Sequence, residues 1–189
     1  AMLGAHDAFT SEMKITSRVD ELSADSIMQG VPGFFLKGFI YRQSVTQVVG
    51  ATDLLFAGVR YLDIRLTYDE GEWYTKHNYI ASDFIPILSE IKDFLETFPG
   101  EFLILDFQHI HGLDYSSQTD YDVFYQMLED SGILDYTYEV TNLSDLTYGQ
   151  LTANGTEAKA ILISKFEDSQ GKIMYYNDSM RSEWANSDD

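Results

Sequence analysis

Polar side chains able to transfer protons or bind anions follow the short apolar segments of this sequence. His6 and Asp7 come directly after the segment Met2 to Ala5, and His77 follows the short aromatic run Trp73 to Thr75. An imidazole takes up and releases protons near neutral pH, and a neighbouring carboxylate can orient it. Taken singly, a histidine such as His6 is more often structural, and the default interpretation of His77 is a histidine on a surface turn.

The segment Val59 to Leu66 alternates polar and apolar residues, as a strand does. Tyr61, Asp63 and Arg65 then share one side of that strand, and the apolar residues between them share the other. Burying ionised groups is costly unless they are paired. Asp63 and Arg65 therefore form either a structural salt bridge or part of a functional site, and this segment alone leaves both interpretations open.

Two later apolar segments also end in polar groups. These groups are Asp106, Gln108, His109, His111 and Lys165. Two histidines at i and i+2 are a weak signal for a metal site, and a lysine at a strand end serves either an anion or the solvent. The sequence has no cysteine and no G-x-S-x-G serine motif. Histidines with an arginine and carboxylates suit general acid–base cleavage of a phosphodiester better than acyl transfer.

The elements that must position these groups are predicted to be four strands separated by helices. The strands are Met2 to Ala5, Val59 to Leu66, Phe102 to Phe107 and Ala160 to Phe166. Helical spacing predicts helices over roughly Val45 to Phe56, Phe84 to Leu95 and Tyr121 to Leu128, with a short one beginning at Ser144. Continuous apolar runs indicate parallel strands covered by helices rather than hairpins. Such an α/β order places polar strand ends along one edge of the sheet.

Composition limits the function further. The 189 residues include 12 Lys and Arg against 31 Asp and Glu, a net charge of −19, with 44% hydrophobic residues. This predicts a folded domain rather than a disordered, membrane-spanning or nucleic-acid-binding chain. Four βα units are half of a (β/α)₈ barrel, which typically needs about 250 residues. We expect either the first half of such a barrel or a smaller open α/β sheet.

Four segments resemble, in order and spacing, the phosphatidylinositol-specific phospholipase C X-domain family, in the form of the bacterial enzymes and the small X-domain-only proteins. They are MLGAHDAF, QVVGATDLLFAGVRYLDIRL, YTKHNY and EIKDFLETFPGEFLILDFQHIHG. Most specific is the combination of His-Asp, an Asp-Ile-Arg whose Asp lies 56 positions after Asp7, and a histidine 12 positions after Arg65. The resemblance covers Met2 to Phe166. It implies a TIM-type (β/α) barrel of the PLC-like phosphodiesterase kind, with residues 1–189 as its N-terminal part.

The resemblance also implies roles for five residues. His6 would be the general base that deprotonates the inositol 2-hydroxyl, and His77 the general acid that protonates the leaving diacylglycerol oxygen, oriented by Asp7. Arg65 would contact the non-bridging phosphate oxygens, and Asp63 would hold Arg65 in place. The first product would be a cyclic 1,2-phosphate. In the bacterial enzymes the Asp partner of the base and most inositol contacts come from the second half of the barrel.

The same comparison implies a site without metal or cofactor. Calcium-dependent relatives place carboxylates where this sequence has Arg65 and Gln108, and glycerophosphodiester phosphodiesterases use an E-x-D pair where this sequence has Asp-Ile-Arg. Gln108 and Lys165 are expected to contact the head group.

The expected partner is a phospholipid or glycerophosphodiester substrate, met in transient contact with a membrane surface, with no nucleic acid and no obligate protein partner. A secreted or cell-surface bacterial protein is favoured. Two alternatives stay open: a non-catalytic binding module on the same fold, and a metal-dependent phosphodiesterase that uses Asp7, Asp63 and the histidines of the third strand.

Overall fold

Seven strands form one sheet in the computed structural model, which describes residues 2–14, 17–18, 49–77, 79–139 and 146–176. The strands are β1 (Leu3–Ala5), β2 (Val59–Asp69), β3 (Glu72–His77), β4 (Tyr79–Asp83), β5 (Phe102–His111), β6 (Lys159–Ser164) and β7 (Ile173–Tyr175). The helices are α1 (Ala51–Phe56), α2 (Phe84–Thr97), α3 (Gln118–Ser131) and α4 (Tyr148–Leu151), with a 3₁₀ turn at Ile133–Tyr136. The first residues of the helix predicted from Val45 and the predicted start at Ser144 lie outside the described residues.

The central strands are parallel, as predicted, but the sheet also contains an antiparallel part. The order is β4-β3-β2-β5-β6-β7, with β1 parallel to β2 on a separate branch. The β2, β5, β6 and β7 pairings are parallel, whereas the β2–β3 and β3–β4 pairings are antiparallel. The four predicted strands do pair in parallel, whereas the antiparallel strands β3 and β4 were not predicted.

The turn between β2 and β3 explains this difference. Glu70 and Gly71 both have positive φ, 52° and 89°. Two consecutive left-handed residues form the kind of two-residue turn that suits the twist of a hairpin, and glycine adopts this conformation without steric cost. Strands β2 and β3 stay paired up to this turn, where Asp69 lies opposite Glu72. His77 is therefore the last residue of β3 rather than part of a surface turn.

The main core lies between one face of the sheet and helices α2 and α3. The apolar residues of β2 that alternate with Asp63 and Arg65 are fully buried there, as the alternation predicts: Leu62, Ile64 and Leu66. They pack with the apolar faces of α2 and α3, which include Leu88, Ile91, Phe124 and Leu128. α2 ends just before Pro99 and Gly100, and α3 ends at Gly132 in the left-handed conformation, both as predicted.

The opposite face of the sheet carries a smaller apolar cluster and the polar residues of β2 and β5. Leu151, Ile161 and Ile163 form the buried centre of this second cluster. Among the described residues, no helix has the length and the apolar character needed to span a bilayer. The main core therefore lies on one face of the sheet, and Asp63 and Arg65 lie on the other.

Candidate active site

The first strand delivers His6 and Asp7 to a position beside Asp63. β1 pairs in parallel with β2, and the Ala8 N–H extends the pairing by donating to the Asp63 carbonyl oxygen at 2.8 Å. The Asp7 N–H lies 3.4 Å from Asp63 Oδ2. The backbone contacts of β1 with β2 therefore fix the His-Asp pair directly over the Asp-Ile-Arg segment.

Asp63 is the hydrogen-bonding partner of His6. His6 Nδ1 donates to Asp63 Oδ2 at 2.7 Å, and Asp63 is only 5% exposed. The tautomer with its proton on Nδ1 satisfies this contact, because a carboxylate accepts hydrogen bonds, and that tautomer has its lone pair on Nε2. Asp63 also accepts from Arg65 Nη2 at 3.3 Å. The sequence predicted the contact of Asp63 with Arg65 but not its contact with His6, because residue spacing does not determine the rotamers of the two side chains.

Asp7 is the point at which both histidines and the arginine meet. Its Oδ2 lies 3.3 Å from His6 Nε2 and 3.3 Å from His77 Nε2, and Arg65 Nε contacts its Oδ1. Asp7 is fully buried. Burial raises the pKa of Asp7 above its usual value, and the positive charge of Arg65 acts against this rise. The Nε2 atoms of His6 and His77 are thus no more than twice 3.3 Å apart, because both contact the same carboxylate oxygen.

A bulge in β5 brings Gln108 to Arg65. The β2–β5 register moves from Ile64 opposite Phe107 to Arg65 opposite His109, so Gln108 is the extra residue. Gln108 Oε1 accepts from Arg65 Nη2 at 3.3 Å. Gln108 therefore contacts the arginine directly, in addition to the head-group role predicted for it.

A second polar group lies deeper on the same face of the sheet. Tyr61 donates to Asp106 Oδ2 at 2.5 Å, and Asp106, opposite Asp63 in the register, is fully buried. Burial raises the pKa of Asp106 to about 6, while the hydrogen bond from Tyr61 lowers it. Its Oδ1 has no hydrogen-bond partner among the described residues. The isolated charge in the apolar run of β5 is the signal for this group, although nothing in the sequence indicates its tyrosine partner.

Lys165 lies at the margin of the site. Its ammonium group is 5.6 Å from the centre of the Tyr176 ring, and no hydrogen bond or ion pair links Lys165 to another residue within the described part of the chain. Burial lowers its pKa, while the negative charge of Asp106 raises it. The structure thus places Lys165 within electrostatic range of Asp106 and Arg65 but does not bring it into the cluster around Asp7.

His109 and His111 do not join the carboxylates. Lys76 Nζ lies 2.7 Å from His111 Nδ1, and the rings of His109 and His111 are 6.3 Å apart in an edge-on arrangement. Burial lowers the pKa of His109 to about 4, and the positive charge of Lys165 adds to this effect. Near neutral pH His109 is therefore a neutral side chain.

Three residues present ligand atoms close enough to hold a metal ion. Atoms of His6, Asp7 and Asp63 lie within 4.8 Å of one another, and in the described ranges this group includes neither histidine of β5. Arg65, however, contacts both carboxylates. A divalent cation bound there would meet a guanidinium that cannot lose its charge. The donor set therefore fits a metal ion poorly while Arg65 is in place.

Comparison with known proteins identifies relatives of the chain. It is 35% identical over 127 residues to the variant-surface-glycoprotein phospholipase C of Trypanosoma brucei brucei, covering 61% of this chain and 35% of that protein. It is 30% identical over 120 residues to the PI-PLC X domain-containing protein 2 of Mus musculus, with coverage of 61% and 35%. The chain thus spans about a third of the length of these relatives.

Solved structures give the same answer for the fold. A phosphatidylinositol-specific phospholipase C of S. aureus superposes with a TM-score of 0.58 at 18% identity, covering 97% of this chain and 53% of that one. No family model matches the chain. The chain therefore has the fold of part of a TIM-type barrel, and its relatives confirm the resemblance to the phosphatidylinositol-specific phospholipase C X-domain family.

Proposed function

We propose that this chain cleaves a phosphodiester by intramolecular general acid–base catalysis, with phosphatidylinositol or a related glycerophosphoinositide as substrate. One observation carries the proposal: His6 and His77 both contact the buried carboxylate of Asp7, beside the arginine that would bind the phosphate. Two proton-transferring groups beside a cation are what the displacement of an alkoxide from phosphorus requires.

The reaction begins at His6. Its Nε2 takes the proton of the inositol 2-hydroxyl, and that oxygen forms a new bond to phosphorus. The bond from phosphorus to the diacylglycerol oxygen breaks, and His77 gives its proton to that oxygen. The products are a five-membered cyclic 1,2-phosphate and diacylglycerol, so no water enters the first step. The two histidines end with exchanged protonation states, and a second step that hydrolyses the cyclic ester restores them.

Asp63 prepares His6 for this role. The 2.7 Å hydrogen bond from Nδ1 selects the tautomer that has its lone pair on Nε2, and it stabilises the imidazolium that forms when His6 takes the proton. The bacterial enzymes that this sequence resembles use an Asp from the second half of the barrel for this purpose. Asp63 supplies an equivalent contact from within the described residues.

Arg65 stabilises the charge that develops on phosphorus oxygens. Its contacts with Asp7, Asp63 and Gln108 use Nε and Nη2, and within the described ranges nothing is hydrogen bonded to Nη1. Nη1 is the donor we assign to a non-bridging oxygen. The side chain is 20% exposed, so a ligand has access to it while its orientation is fixed by three neighbours.

The relatives support the substrate class. One is named a variant-surface-glycoprotein phospholipase C, and others are named PI-PLC X domain-containing proteins. We also propose that Gln108 and Lys165 contact the head group and that residues 1–189 form the N-terminal part of the barrel. We propose that the reaction requires no metal ion, because Arg65 contacts the two carboxylates that would otherwise bind one.

The test compares histidine variants of the full-length protein on phosphatidylinositol in neutral detergent. His6→Ala and His77→Ala are each expected to lower kcat by about 10²-fold to 10⁴-fold, the usual contribution of a general acid or base. His109→Gln changes a histidine of the same sheet edge that the proposal does not use, and it should keep kcat within about threefold of the wild type. Near-normal turnover by either alanine variant would refute the proposal, and a wild type that binds the lipid without cleaving it would favour the binding module.

A further inference from the structure

The turn that carries Asp7 has an unusual backbone. Asp7 and Phe9 have φ angles of 46° and 73°, in the left-handed region that residues with a side chain rarely adopt. Phe9 is also buried, at 2% exposure. Such a conformation persists only where neighbouring contacts hold it.

Hydrogen bonds to two neighbouring strands hold this turn. The Ala8 N–H donates to the carbonyl oxygen of Asp63 at 2.8 Å, which fixes the turn to β2. The hydroxyl of Thr75 donates to the carbonyl oxygen of Phe9 at 3.0 Å, which fixes it to β3. Thr75 is fully buried, so this hydrogen bond has no competition from water.

Thr75 also stabilises the hairpin that carries His77. Its hydroxyl oxygen accepts from the Ser82 N–H at 3.1 Å, so it bridges β3 to β4 where the register of the two strands is irregular. The Ser82 carbonyl oxygen lies 3.3 Å from the same hydroxyl, a longer contact than the one with the Phe9 carbonyl oxygen. One side chain thus connects the turn bearing His6 and Asp7 with the strand that ends in His77, two residues further on.

We infer that Thr75 is a positioning residue that sets the separation between the general base and the general acid. The catalytic part of this inference rests on the proposed function, whereas the structural part rests on the hydrogen bonds of Thr75 alone. Thr75 touches neither substrate nor the reacting atoms. It acts through the Phe9 carbonyl, which fixes the left-handed turn and so the position of Asp7, which both imidazoles contact.

Three variants of the full-length protein test this. Thr75→Val keeps the branched shape and removes the hydroxyl, and Thr75→Ser keeps the hydroxyl. Thr152→Val is the matched control, since Thr152 is also fully buried, donates to the Tyr148 carbonyl oxygen at 2.8 Å and accepts from the Gly155 N–H at 3.1 Å, away from the candidate active site. Should Thr75→Val fail to fold, Thr75→Cys takes its place, because a thiol is a weaker donor than a hydroxyl.

Two readouts are measured: kcat and KM on phosphatidylinositol, and hydrogen exchange of the Ala8 amide. We expect Thr75→Val to lower kcat by about tenfold or more with KM changed by less than about twofold, and to speed exchange at Ala8. Thr75→Ser should restore both, and Thr152→Val should change neither. Thr75→Val that behaves like Thr152→Val in both readouts overturns the inference. If the wild type does not cleave the lipid, the proposed function fails, and unchanged exchange at Ala8 in Thr75→Val would independently overturn the role of Thr75.

Discussion

Replacing Asp63 by asparagine tests the contact that prepares His6. The carboxylate can only accept from Nδ1 of His6, whereas an amide can donate to it. Donation from the amide would place the imidazole proton on Nε2, the nitrogen that must take the proton of the 2-hydroxyl. The substitution keeps the size of the side chain, so the change is one of proton position and charge.

The magnitude follows from the geometry. An equivalent change in a Ser-His-Asp triad lowers kcat by about 10⁴-fold. The 2.7 Å contact of Asp63 is short for a hydrogen bond to a carboxylate, but the His6 side chain is 54% exposed, so water can partly replace the lost hydrogen bond. We therefore expect kcat of Asp63→Asn to fall by about 10³-fold, which corresponds to about 4 kcal/mol of transition-state stabilisation.

The assay is steady-state formation of the cyclic phosphate, with circular dichroism as a check of folding. Asp69→Asn is the matched control: it makes the same change on the same strand, at a residue paired with the exposed Arg18. In a His6→Ala background, Asp63→Asn should add little, because residues that act together give non-additive losses. A single variant within tenfold of the wild type, or fully additive losses, would refute the assigned role of Asp63.

Two further predictions concern the neighbours of this group. Arg65→Lys keeps the positive charge but loses the fork that contacts Asp7 and Gln108 together, so kcat should fall by about 10²-fold in steady-state assays; a loss smaller than threefold would mean that charge alone suffices. For Asp106, the folded pKa of about 6 exceeds the reference value of 3.8, so its contribution to stability is present at low pH and is lost as pH rises through about 6. Between pH 4 and pH 7, the free energy of unfolding of the wild type should therefore fall by up to about 3 kcal/mol relative to that of Asp106→Asn, as measured by urea unfolding. A difference that does not depend on pH would contradict the raised pKa.

Much of the fold follows from local patterns in the sequence. The alternation in β2 correctly separates the buried Leu62 and Ile64 from Asp63 and Arg65, and the proline-glycine and glycine signals correctly end α2 and α3. The antiparallel hairpin was not predicted, because continuous apolar runs indicate buried parallel strands and say nothing about the polar turn between β2 and β3. The signal in Glu70-Gly71, between two alternating segments, is weak, because Glu-Gly is not one of the dipeptides that two-residue hairpin turns prefer.

The candidate site was predicted as a set of residues but not as a set of contacts. Side chains at the ends of parallel strands converge on one edge of a sheet, which is why His6, Asp7, Asp63 and Arg65 could be grouped from their spacing. The contact of His6 with Asp63 occurs beside a left-handed turn at Asp7, for which an aspartate is only a weak signal. Contacts between distant segments, such as Lys76 with His111, depend on register and rotamers that spacing does not determine.

The most direct test of the central claim is ³¹P NMR of the full-length protein with phosphatidylinositol in a neutral detergent, with EDTA present throughout. We expect a resonance of a five-membered cyclic phosphate to appear as the first product, at a rate that EDTA does not change. Unchanged substrate, or turnover that appears only after a divalent metal is added in excess of EDTA, would contradict the metal-independent acid–base mechanism of His6 and His77.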